Sequence, residues 1–356
     1  MKIGIIGLPN CGKTTLFNAL TKSDAPVTDY ADTMAEPHLG EVEVDDPRVT
    51  HLSGIYKPKK TIYAKIEMID FVGMAKGSSK EQAISADVMR MIKNSDALAV
   101  VLRNFATDLE GEPTPQADLD AINEELLLSD LIIAEKRMEK IEMGFKKGQK
   151  TNELQTEHKA LQKILDKLNA MEPIRELEFT EHEAKAIKGF QLLTQKPMLV
   201  IVNSNEQSFG KNNELLDSLN QTHKAIEFAG KFEMELSRLS DEEEIALFME
   251  DIGITESARA RLTQYAYELL GYISFFTVGD DEVRAWTISK GDAALTAAGT
   301  IHTDLMRGFI RAECFSYDDL IECGSEKGVK EKGKFRLEGK EYVVKDGDIL
   351  NIRFNV

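Results

Sequence analysis

The chain has 356 residues, room for two or three domains, and its 42% hydrophobic content suits packed globular cores rather than disorder. A formal charge of −17 argues against non-specific DNA binding, because phosphates reward a basic surface; it leaves local basic contacts open. The apolar run Ile3–Ile6 is broken at once by Pro9 and Asn10, no later run approaches the roughly eighteen residues that span a bilayer, and Cys11, Cys314 and Cys323 are too few and too badly spaced for a disulfide framework or a zinc site. A cytoplasmic protein with no secretory signal and no membrane partner is expected.

Residues 3–15 read as a buried strand running into a phosphate-binding loop. Gly7 through Thr14 fit G-x-x-x-x-G-K-[ST], and each fixed residue has a task. Gly7 and Gly12 let the backbone turn its N–H groups toward phosphate oxygens, Lys13 reaches the β- and γ-phosphates, and the Thr14 hydroxyl ligates Mg²⁺. The helix that follows, with Leu16, Phe17, Ala19 and Leu20, points its positive end at the same anion. The expected nucleotide-binding residues here are Asn10, Cys11, Gly12, Lys13, Thr14 and Thr15. Cys11 is either a thiol activated by the helix dipole or a small buried filler.

A polar loop, Thr21–Pro37, follows and reads as a mobile switch. A strand over Ile62–Phe71 then ends in Asp70-Phe71-Val72-Gly73. A carboxylate at the carboxyl end of such a strand holds the Mg²⁺ water shell, and the Gly73 N–H bonds the γ-phosphate; Gly73 joins Lys13 as a catalytic candidate. Ala97–Leu102 and Met198–Val202 read as buried parallel strands, the second ending at Asn203-Ser204-Asn205-Glu206. Asn203 and Glu206 are candidates for reading the base. A last strand, Ala225–Ala229, runs into Gly230 and Lys231, so Ala229 and Gly230 form a second candidate base loop.

Leu127, Leu131, Ala134, Met138 and Ile141 recur in a heptad seam, and Leu154, Leu161, Leu165 and Leu168 repeat it after a turn at Gly144–Lys150. These residues predict an antiparallel helical hairpin whose tip carries Lys146, Lys147 and Lys150, either a solvated turn or a nucleic-acid contact. From about Ser274, short strands at Phe275–Val278, Val283–Ile288 and Tyr342–Phe354 and a helix around Ala293–Leu305 predict a small α+β domain. His302 has no Ser, Cys or metal-ligand partner at a telling spacing, so this domain reads as an interaction module. The expected fold class is α/β. A discontinuous P-loop nucleotide-binding domain (1–120 and 190–272) carries a hairpin insertion (121–189) and is followed by the C-terminal domain (273–356).

Several of these motifs together resemble the Obg-like ATPases of the YchF subfamily, a ribosome-associated branch of the translation-factor P-loop NTPases. The resemblance rests on Gly7-Leu8-Pro9-Asn10-Cys11-Gly12-Lys13, Glu36-Pro37 with Asp46-Pro47-Arg48, Lys76-Gly77-Ser78-Ser79 and Asn203-Ser204-Asn205-Glu206. It continues through Glu282–Thr287, Ile301–Asp304, Gly308–Glu313 and Asp346–Asp348. It implies a coiled-coil insert, a C-terminal TGS domain of the β-grasp type, and a cytoplasmic Mg²⁺-dependent ATPase that binds the ribosome at its large subunit and regulates translation or a stress response. ATP is favoured over GTP because Ser204 and Glu206 stand where a guanine clamp has lysine and aspartate. Met74 stands where many GTPases place a water-orienting glutamine, and Asn10 resembles a K⁺-binding asparagine, which makes K⁺ a candidate second cofactor and Asn10 a catalytic candidate.

The chain departs from the family pattern in switch I, where Met34 takes the usual threonine position and Thr33, one residue early, is the candidate metal ligand. In switch II, Glu81-Gln82-Ala83-Ile84-Ser85 replaces a glycine-rich run and favours helix. The alternative function is a nucleotide-gated protein-binding switch with negligible turnover.

Overall fold

The computed structural model describes residues 1–26, 37–71, 86–107, 111–239, 241–254 and 256–355. Among these the strands are β1 (Lys2–Gly7), β2 (His38–Glu43), β3 (Lys60–Ile62), β4 (Lys65–Asp70), β5 (Ala97–Asn104), β6 (Met198–Ser204), β7 (Lys224–Phe228), β8 (Tyr272–Thr277), β9 (Glu282–Ser289), β10 (Phe309–Ser316), β11 (Arg336–Glu338) and β12 (Asp348–Phe354). They build two sheets, in the orders β2-β4-β1-β5-β6-β7 and β11-β10-β12-β8-β9-β3. The chain divides into two compact units, Met1–Gly40 with Glu67–Ala258, and Glu41–Ile66 with Arg259–Val356.

In the first unit β1 runs parallel to β4 on one side and β5 on the other, and β6 and β7 extend the parallel sheet. Strands buried on both faces read as unbroken apolar runs, and β6 is buried along its whole length. Ile6, Val100, Leu102, Val200 and Val202 pack with Leu119, Ile122 and Leu126 in one core. Connections leave β1 and β5 in opposite directions, so the crevice at the carboxyl end of β1 is where such a sheet binds ligands. Helix α1 (Lys13–Thr21) starts there.

The hairpin is longer than its seam suggested. After α2 (Pro47–Tyr56) and α3 (Ala86–Asn94), α4 spans Pro115–Lys146 and α5 spans Asn152–Asn169. Pro115 stands at the first turn of α4, where a missing N–H costs nothing, so the helix begins before the expected boundary at 121. Leu127, Ala134, Met138 and Ile141 meet Leu161 and Leu168 as expected, but Ala160 and Ile164 fill the centre while Leu154 and Leu165 are only partly buried. Arg137 holds Glu157 through two parallel bonds, Nε–Oε1 at 2.5 Å and Nη2–Oε2 at 2.7 Å. Asp130 on α4, wholly buried, accepts from the Leu193 and Thr194 amides and the Thr194 hydroxyl.

In the second unit, numbering its strands from β8, the order 4-3-5-1-2 is that of a β-grasp, with β8 parallel to β12 and antiparallel to β9. Helix Ala294–Ile301 lays Ala294, Ala297 and Ala298 against Phe275, Ala312 and Leu350. Residues 41–66, expected in the nucleotide-binding domain, pack here instead. The expected strand Ile62–Phe71 is split because Lys60–Ile62 pairs with β9 while β4 pairs with β1. Arg48 at the start of α2 ion-pairs with Asp46 and Asp346 at 2.8 and 2.7 Å, with its guanidinium 5.1 Å from the Phe276 ring. The pairing of β3 and the Arg48 clamp are long-range contacts that carry no local pattern, which is why the boundary was not visible in the sequence.

Candidate nucleotide site

β1 delivers the chain to its loop at Gly7. A Cβ there would lie 2.6 Å from the Val101 carbonyl oxygen and 2.7 Å from the Cys11 sulfur, so only glycine permits the turn. Asn10 and Gly12 both adopt positive φ, 58° and 93°, and a Cβ on Gly12 would lie 2.1 Å from Asn203 Nδ2. Lys13 opens α1, is 7% exposed, and its Nζ donates to the Leu8 carbonyl at 2.8 Å. The ammonium is thereby folded back over the loop. Thr15, half-buried, follows in the same helical turn.

The Thr14 hydroxyl donates to Asp70 Oδ2 at 2.8 Å, which unites two of the three predicted metal-side residues across the crevice. His38 Nδ1 lies 3.2 Å from the same oxygen. Asp70 is 3% exposed, and its other oxygen, Oδ1, is buried with no hydrogen-bond partner among the described residues. A buried, unpaired carboxylate oxygen beside a hydroxyl suits a hard cation. Among the described residues no three His, Cys, Asp or Glu side chains group into a metal cage. The Asp70 carboxylate and the Thr14 hydroxyl fit Mg²⁺, which takes one or two protein oxygens and otherwise phosphates and waters. Thr33 and Gly73 lie outside the described residues.

Cys11 is 2% exposed, and burial pushes its thiol above the usual range despite the neighbouring Lys13. Burial favours the filler reading of Cys11, because desolvation opposes the thiolate more than the nearby positive charge supports it.

Asn203 closes the site from β6, two strands away from β1. Its Nδ2 donates to the Cys11 carbonyl at 2.9 Å and its Oδ1 accepts from the Gly230 amide at 3.1 Å. A Cβ on Gly230 would lie 2.5 Å from Asn203 Oδ1, so glycine is needed for this approach. Ala229, 1% exposed, precedes the helix Gly230–Leu236. The Ser204 hydroxyl donates to Glu227 Oε1 at 2.6 Å, and Glu227 also accepts from Asn212 Nδ2 at 2.5 Å and the Gly210 amide at 2.9 Å. Glu206 is exposed on the loop after β6. The structure therefore brings together Lys13, Thr14 and Asp70 on one side and Cys11, Asn203 and Gly230 on the other. Sequence reasoning missed His38, for which no spacing gave a signal. It also missed Glu227, whose charge inside the apolar run Ala225–Ala229 was the available clue.

Comparison with known proteins agrees with this architecture. Residues 2–138 match the family model described as "50S ribosome-binding GTPase", and residues 272–355 match YchF-GTPase_C, described as a protein of unknown function. The chain is 40% identical to "Ribosome-binding ATPase YchF" of Bacillus subtilis, covering 99% of each. It is 38% identical to the protein of that name from Escherichia coli O157:H7, over 100% of this chain and 99% of the relative. The solved YchF GTPase of Schizosaccharomyces pombe superposes with a TM-score of 0.84 at 32% identity, over 99% of this chain and 97% of that one. A P-loop nucleotide crevice on a parallel sheet, a C-terminal β-grasp unit and full-length relatedness place the chain in the YchF family of P-loop NTPases.

Proposed function

We propose that this protein is a Mg²⁺-dependent ATPase that prefers ATP to GTP and binds the ribosome, at its large subunit, in the regulation of translation or a stress response. The observation that carries the nucleotide preference is the bonding of Asn203 and Ser204. Both side chains are engaged within the protein, Asn203 with the phosphate loop and Gly230, Ser204 with Glu227. A guanine clamp of the Asn-Lys-x-Asp kind needs a lysine over the base and an aspartate on the guanine N1–H and 2-amino groups; serine and glutamate stand at those places. Without the aspartate a site forfeits the discrimination that a satisfied hydrogen-bond reader gives guanine. The names of the relatives differ on the base, ATPase for the bacterial proteins and GTPase for the yeast structure.

In this reading the Leu8–Gly12 backbone and Lys13 bind the phosphates. Thr14 and Asp70 would hold Mg²⁺, which supplies charge neutralisation to the β- and γ-phosphates. Lys13 holds a positive charge against the γ-phosphate, and the fixed dipole of α1 adds to it. Thr33 and the Gly73 amide complete the proposed set from the two switch segments. Asn10 is the proposed contact for K⁺, a charge that would offset the lack of a glutamine at Met74. The cytoplasm is the proposed compartment; among the described residues no helix is long and apolar enough to cross a membrane.

The ribosome comes from the names of the relatives and is assigned to the hairpin tip and the TGS-type C-terminal unit. Phosphate release from ATP and GTP, each with Mg²⁺ or EDTA and with or without ribosomes, tests the proposal. Mg²⁺-dependent release favouring ATP supports it. Nucleotide binding without release under every condition leaves a switch without turnover.

A further inference from the structure

β2 starts at His38, immediately after the predicted switch loop. Alternate strand residues face opposite ways, so His38 and Gly40 share one side and Leu39 the other. Leu39 is 66% exposed, whereas the other side meets α1. A Cβ on Gly40 would lie 2.6 Å from Thr21 Cγ2 and 2.9 Å from Phe17 Cζ, so the glycine lets the strand settle onto the helix. The His38 ring leans on the buried Phe17 ring, with centroids 6.0 Å apart and planes at 35°. From that seat its Nδ1 reaches Asp70 Oδ2 at 3.2 Å.

A carboxylate only accepts hydrogen bonds, so the ring nitrogen is the donor. Oδ2 thus receives both the Thr14 hydroxyl and the His38 N–H, while the buried Oδ1 has no partner among the described residues. We infer that His38 is a positioning residue, braced on Phe17, that fixes the rotation of Asp70 with Oδ2 occupied and Oδ1 left for the water shell of the metal. This rests on the Mg²⁺–nucleotide reading above and adds to it a residue that neither the P-loop nor the Asp-x-x-Gly motif contains. Partners that orient a metal-side carboxylate typically change metal affinity by 10- to 100-fold.

The test uses Mn²⁺ as a paramagnetic probe, titrated by electron paramagnetic resonance into the full chain with a non-hydrolysable ATP analogue. His38→Ala should weaken Mn²⁺ binding by about tenfold or more, while His38→Asn, whose amide can donate from nearly the same place, should stay within about threefold of the parent. Analogue binding in EDTA and the circular dichroism spectrum should be the same for all three. Gly40→Ala, which must lift β2 off Phe17, should weaken Mn²⁺ in the same direction. His38→Ala within twofold of the parent, or His38→Asn as weak as His38→Ala, would overturn the role of His38 while leaving the ATPase proposal standing. A parent protein that binds the analogue but no Mn²⁺ would overturn both.

Discussion

The Asn203 side chain bridges the Cys11 carbonyl and the Gly230 amide, tying the phosphate loop to the loop after β7 from a strand 192 residues further along the chain than Cys11. Asn203 is 4% exposed, Cys11 is 2% exposed and Gly230 is buried, so the bridged groups lie away from the surface. Each buried group left unpaired costs about 1–3 kcal/mol. Asn203→Ala should therefore lower the unfolding free energy by about 2–4 kcal/mol in a denaturant titration. It should also weaken ATP and GTP together, leaving their ratio unchanged, because the bonds it removes reach backbone and not base.

The three cysteines should separate by reactivity. Cys11 and Cys314 are buried, with the Cys314 thiol pushed up to about 12 by burial and by the neighbouring Asp348 carboxylate, whereas Cys323 is half-exposed. Titration with a chromogenic disulfide at pH 7.5 should show one fast thiol, lost in Cys323→Ser, and all three after unfolding. A fast Cys11 would restore the thiolate reading.

Asp130 offers a pH test. Burial holds its carboxyl above the usual range, although two backbone amides and the Thr194 hydroxyl pull the other way. A raised folded value means that the unfolded chain ionises first as pH rises. The stability from Asp130 is then fully present below the unfolded value of about 3.9 and declines as pH climbs through the folded one. The stability of the parent relative to Asp130→Asn should accordingly fall between acid and neutral pH. Asp130→Ala, which orphans the Leu193 and Thr194 amides, should cost about 2–4 kcal/mol at acid pH and less at neutral pH, because it lacks the same titrating group as Asp130→Asn.

Chemistry and attachment should be separable. Lys13 lies in the nucleotide crevice, while Lys146, Lys147 and Lys150 are exposed at the hairpin tip, Lys150 with its ammonium 5.9 Å from the Phe145 ring. Lys13→Ala should reduce ATP turnover by about a hundredfold or more yet leave sedimentation with ribosomes largely intact. Neutralising the three tip lysines should do the reverse, and the parent's attachment should depend only shallowly on salt, since few counterions are released. Release of a folded Lys13→Ala from ribosomes would show that nucleotide state gates attachment.

Local pattern was legible in the sequence. The P-loop spacing located Lys13 and Thr14, the strand-ending carboxylate located Asp70, and the heptad repeat located the hairpin. Contacts assembled from distant segments were not. Nothing near Lys60–Ile62 announces a partner at Glu282–Arg284, and nothing near Arg48 announces Asp346. His38 meets Asp70 only because Gly40 admits β2 onto Phe17, a relation of backbone approach rather than of spacing. Asn203 was legible as a base-loop residue, but its bonds turn it toward the protein.

The most direct test is a calorimetric titration of the full chain with ATP and with GTP in Mg²⁺, repeated with Asp70→Asn. Tighter binding of ATP than of GTP, with the Mg²⁺-dependent part of the affinity lost in Asp70→Asn, is the predicted result. GTP binding tenfold more tightly than ATP, or an Asp70→Asn protein that binds both as the parent does, would contradict it.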